Sequence, residues 1–180
     1  MAHQDPKQEI INKLTRFLLP KTNKILAGMN EPEEMQRTLR FLKERALEDR
    51  ITYFVLFEDE KGQKQHYTCY VVKDIRGNWQ FRGAAGGGIS GQVGPVVQQA
   101  WANLDGGGIP DHFHAGGYVA DHGQNVTRIR LIAKNGTTIE DTVDENGVVL
   151  FLTDQRVDLP IQAELYNRRQ ELVYSHTVLG

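Results

Sequence analysis

Cysteine is nearly absent from this sequence: Cys69 is the only one among 180 residues. No intrachain disulfide can form, and no thiolate cluster can hold zinc. Long apolar runs are missing too, since none approaches the roughly 20 residues that a bilayer-spanning helix needs. Nor is there an excess of positive charge. Lys and Arg number 21 against 23 Asp and Glu, for a net charge of -2, and no basic run supplies the electrostatic footprint of nucleic-acid binding. The opening residues MAHQDPKQEI lack the basic-then-apolar layout of a secretion signal. These absences set the expectation of a cytoplasmic protein with neither a nucleic-acid nor a membrane partner.

What the chain does have is glycine and histidine, concentrated in one place. Most of the 18 glycines and three of the six histidines lie in 82–122, which reads RGAAGGGISGQVGPVVQQAWANLDGGGIPDHFHAGGYVADH. Before this stretch the pattern is helical and then β; after it the pattern is all β.

Asp5-Pro6 is a helix start, a capping carboxylate followed by a proline whose missing N–H would be unpaired anyway. Ile10, Ile11, Leu14, Phe17 and Leu18 then recur at helical spacing, Pro20 breaks the run, and a short continuation ends at Gly28. A second helix is expected from an Asn30 cap with Glu33 as its capping-box partner, burying Met35, Leu39, Leu42 and Ala46. From Ile51 the period changes to two. ITYFVLFE, QHYTCYVVKD and NWQFRGAA predict a three-stranded antiparallel meander. Pro95 then opens a predicted short helix over VVQQAWANL, closed by Gly106-Gly107-Gly108.

Beyond the histidines come GYVADH, NVTRIRLIAK, TTIEDTV, VVLFLTD, IQAELYN and ELVYSHTVL. Asn135-Gly136 is a hairpin signal that predicts positive φ at both turn positions. Ile129, Leu131 and Ala133 alternate with Arg128 and Arg130, as do Ile161, Ala163 and Leu165 with Gln162 and Glu164, so one face is buried and one is wet. This last third of the chain resembles the immunoglobulin-like β-sandwich segments of uncharacterised bacterial proteins. The resemblance rests on strand and turn signals and implies no catalytic residue. The predicted fold is α+β: two N-terminal helices with an antiparallel meander over 1–85, a glycine-rich connecting segment with a short helix over 86–115, and a mostly antiparallel immunoglobulin-like sandwich part over 116–180.

Two groups of residues suggest chemistry. In an extended segment His112 and His114 project to the same side, and a turn at Gly116-Gly117 would return Asp121 and His122 toward them. With Asp111, these five form a candidate set for a divalent transition metal. His-x-His after a glycine is similar to the first motif of the cupin metal site, but the Glu expected a few residues later is missing. The alternative is a polar surface loop. Gly86, Gly88, Ser90 and Gly91 match G-x-G-x-x-G, a candidate anion loop that Trp101 could flank. No parallel strand ending in an acid follows, however, and close backbone packing is the competing reading.

No complete catalytic constellation is visible. The expected function is therefore a non-catalytic protein-interaction or self-association module, without cofactor, whose partner is an unidentified protein or a second copy. The alternative is a metal-binding protein or metal-dependent enzyme built on the His112/His114 loop.

Overall fold

The computed structural model of the protein describes residues 5–18, 32–59, 61–88 and 99–180. Over these the chain is mostly antiparallel β-structure: eleven strands in three sheets, with two helices. It divides into two compact units, Met1–Ile89 and Ser90–Gly180.

In the first unit, α1 (Pro6–Leu18) begins as its sequence requires. The Asp5 carboxylate accepts the Lys7 N–H at 2.9 Å, and the Asp5 carbonyl accepts those of Gln8 and Glu9. Ile10 and Leu14, one turn apart, are buried. Expectations for Pro20 to Gly28 and for the Asn30 cap lie outside the described residues.

The second helix is much shorter than predicted. Helix α2 spans only Pro32–Thr38, and the residues expected to continue it form strand β1 (Arg40–Leu47), antiparallel to β2 (Arg50–Glu58). Glu48, at a φ of 52°, closes a tight two-residue turn between them. Phe41 then meets Tyr53 edge-on at 5.4 Å between ring centroids. Cross-strand pairing of this kind outweighs the good helix propensity of Leu, Lys, Glu, Arg and Ala.

The meander thus has four strands rather than three, in the order β1-β2-β3-β4 with β3 (Lys64–Lys73) and β4 (Trp79–Gly88). Tyr53, Val55, Phe57, Cys69, Val71 and Trp79 share one face and form a core with Ile10 and Leu14. Fully burying an Ile or Leu side chain contributes about 1.5–3 kcal/mol. Cys69 is wholly buried there, and burial pushes its thiol far up from the ordinary value. It is a packing group, not a nucleophile.

In the second unit, the predicted helix at 96–104 is replaced by strand β5 (Trp101–Gly107); residues 96–98 lie outside those described. Strand β6 (His114–Ala120) pairs with β5 on one side and with β9 (Val148–Leu152) on the other. The second sheet has the order β11-β10-β7-β8, from β7 (Val126–Ala133), β8 (Thr138–Thr142), β10 (Ile161–Asn167) and β11 (Leu172–Leu179). Ala102, Leu104, Ala115 and Phe151 of the first sheet share one core with Ile129, Leu131, Ile161, Ala163 and Leu165 of the second. Buried Asp141 links the sheets, its carboxylate accepting the Leu150 N–H at 2.7 Å.

One turn chemistry recurs across both units. Asp59, Asp74, Asp144 and Asn167 each open a hairpin, and each side-chain oxygen accepts the N–H groups two and four residues on. The fourth residue of each, Gly62, Gly77, Gly147 or Gln170, takes positive φ. An Asx side chain satisfies the loop amides, and the fourth residue reverses the chain. At Asn135-Gly136 only Gly136 has positive φ, 87°, which corrects the expected pair of left-handed residues. The bonds from Gly136 N–H to the Ala133 carbonyl and from Ala133 N–H to that of Thr137 make the longer hairpin loop, a turn followed by a left-handed glycine.

Candidate functional site

The histidine loop joins β5 to β6. Gly108 has a φ of 74°, and a Cβ there would lie 1.9 Å from the His112 carbonyl oxygen. Only glycine fits so tight a loop. His112 and Asp111 are exposed at its rim, whereas His114 begins β6 and is buried. His114 Nδ1 lies 3.1 Å from the His112 carbonyl oxygen, so the ring donates to the backbone beside it. Burial holds the His114 pKa below the usual histidine value, with the bond to His112 pulling the other way. The chemistry of this loop is that of a neutral, backbone-anchored imidazole.

The other predicted ligands stand apart. Gly116 and Gly117 lie within β6, not at a turn, so the chain does not double back there. A strand rises roughly 3.3 Å per residue, which puts His122 about 25 Å from His114 along the chain. His122 is exposed in a turn at a φ of 47°. Asp121 is occupied as a turn cap, its carboxylate accepting the Val126 N–H at 2.5 Å. Among the described residues no three His, Cys, Asp or Glu side chains converge on a metal-sized site.

Gly86 and Gly88 belong to β4, not to a loop that opens a helix. A Cβ at Gly86, whose φ is 151°, would lie 2.1 Å from the His66 carbonyl oxygen. Close strand packing is therefore what this glycine serves, and the anion-loop expectation does not hold for this pair. Ser90 and Gly91 lie outside the described residues.

Trp101 sits in a different arrangement from the one expected. Its ring stacks on His176 of β11, with centroids 3.7 Å apart and planes at 22°, and Tyr174 lies beside both rings, 5.5 Å from His176 and 5.9 Å from Trp101. His176 Nε2 is 3.0 Å from the Ala102 carbonyl oxygen and 3.3 Å from the Ala102 N–H, bridging the open edge of β5. Its Nδ1 is shielded and has no hydrogen-bond partner among the described residues, and burial holds its pKa low. Tyr174 and His176 carried one available signal: two residues apart on a strand, they share a face.

The first unit holds a cavity of about 640 Å³ lined by Lys13 and Leu14 of α1, Tyr67 of β3, and Phe81, Arg82, Gly83 and Ala84 of β4. Arg82 occupies a bulge, the extra residue where the register slips between Tyr70 and Val71. No signal in the sequence grouped these residues, because they come from three separated elements. No protein-family model, curated protein or solved structure matches the chain.

Proposed function

We propose that the protein is a non-catalytic protein-interaction module of the reducing cytoplasm, and that its second unit is an immunoglobulin-like sandwich recognising a partner protein or a second copy of itself. The strand orders β5-β6-β9 and β11-β10-β7-β8 support the sandwich assignment. The observation that carries the functional reading is the ring stack of Trp101, His176 and Tyr174. It lies where β5 and β11, each terminal in its sheet, come together. Half-buried Trp and Tyr side chains at such an edge offer large contact area at low entropic cost, and these residue types dominate interface energetics. A single buried, inert cysteine suits a reducing compartment.

Sedimentation velocity on the full chain, together with a photo-crosslinking residue placed at position 103 on the exposed side of β5, tests this reading. The expected result is association, or a crosslinked partner protein, that Trp101→Ala weakens by about tenfold or more, as at an aromatic interface anchor. A chain that stays monomeric at high concentration and crosslinks to no protein overturns it.

A further inference from the structure

We infer that the cavity between α1 and β4 binds a small amphipathic anion: an apolar body carrying a single carboxylate or sulfonate. Its size, about 640 Å³, falls within the roughly 300–1,000 Å³ typical of ligand pockets. The lining is divided by chemistry. Leu14, Tyr67 and Phe81 supply apolar surface, and Tyr67 stacks on Phe57 with centroids 5.8 Å apart, which fixes its ring. The small residues Gly83 and Ala84 leave the space open; a Cβ added at Gly83 meets nothing within 4 Å.

Charge selects the sign of the ligand. Both charged lining residues, Lys13 and Arg82, are cationic, and no acid is among the described lining residues. Among the described residues Lys13 pairs loosely with Glu9, 3.9 Å away on the same helix. Arg82 is exposed and has no ion-pair partner among the described residues. A carboxylate or sulfonate placed between them takes charge-assisted hydrogen bonds while its apolar part covers the aromatic floor. The site belongs to the first unit and goes beyond the edge recognition proposed for the second.

The test is a fluorescence titration of the full chain with 1-anilinonaphthalene-8-sulfonate, followed by displacement with decanoate, decanol and decyltrimethylammonium. Saturable binding is expected, with decanoate displacing the probe at one tenth or less of the concentration the neutral and cationic analogues require. Ala84→Trp fills the cavity from an exposed position of β4 and should abolish binding. Arg82→Glu should weaken it by about tenfold. Circular dichroism melts confirm that both variants are folded, which their exposed positions favour. Absence of saturable binding, equal displacement by all three analogues, or wild-type affinity in either folded variant overturns the inference.

Discussion

The two units solve the same problem with unequal means. The second draws the buried side chains of one core from two sheets, so losing one leaves many neighbours in place. In the first, helix α1 packs on the four-stranded sheet, and among the described residues Ile10 and Leu14 are its members of the buried cluster. A core drawn from two sheets spreads the apolar contacts over many positions, whereas an amphipathic helix concentrates its own on one stripe. Leu14 is both a core residue and part of the cavity wall.

The largest expected effect follows from that concentration. Leu14→Ala should cost about 2–5 kcal/mol, the loss of transfer energy plus the cavity it leaves. Hydrogen exchange monitored by mass spectrometry should show amides of α1 and of β2 to β4 losing protection while those of β7 and β10 keep theirs. Among the described residues the two buried clusters share none, which is the basis of this expectation. Equal loss of protection in both units would break the division.

A smaller effect contrasts one glycine from each unit. A Cβ at Gly117 in the central strand β6 would lie 1.8 Å from the Asn103 carbonyl oxygen, and backbone cannot move aside as a side chain can. Gly117→Ala should push β5 away from β6 at a cost of about 1–3 kcal/mol, typical of overpacking. Local exchange in Trp101–Gly107 and a shift in Trp101 fluorescence would report it. Gly83→Ala, where a Cβ meets nothing within 4 Å, should be neutral or slightly stabilising in a thermal melt. If the two substitutions behave alike, close strand approach is not what Gly117 serves.

Much of the second unit was legible because its signals are local. Strands β7 to β11 fall where strand and turn signals placed them, with period-two alternation in β7 and β10, and the Asx-led turns at Asp144 and Asn167 are written in four or five consecutive residues. Strand β1 was hidden for the opposite reason. RFLKERAL has helix-forming residues and apolar positions that fit a helical face, and only its partner β2 makes it a strand. Periodicity within one segment does not register a partner elsewhere in the chain. Strand β5 was misread the same way, and that error carried over to Trp101, which a helix would not have brought onto His176. The histidine reading failed at one boundary: β6 begins at His114, so His112 lies in the loop and the shared-side geometry of an extended His-x-His does not apply.

The smallest effect concerns pH and belongs to the second unit, where His114 and His176 are both buried. Burial disfavours the imidazolium and lowers each folded-state pKa, with the bonds to the His112 and Ala102 backbone partly opposing it. In the unfolded chain both titrate near the ordinary value of about 6.5. Above that pH the rings are neutral in both states and the unit has its full stability. As the pH falls below it, the unfolded chain takes up protons that the folded chain refuses, so stability drops until the lowered folded-state values are reached. A melt of the second unit should therefore move to lower temperature between about pH 7 and pH 5. His176→Phe keeps a ring on Trp101 but removes both the titration and the contact with Ala102. It should cost about 1 kcal/mol at pH 8, the worth of one hydrogen bond, and flatten part of the acid slope. An unchanged slope in this variant would mean that His176 plays no part in the acid sensitivity. A flat wild-type profile would mean that neither histidine is held neutral by burial in the second unit.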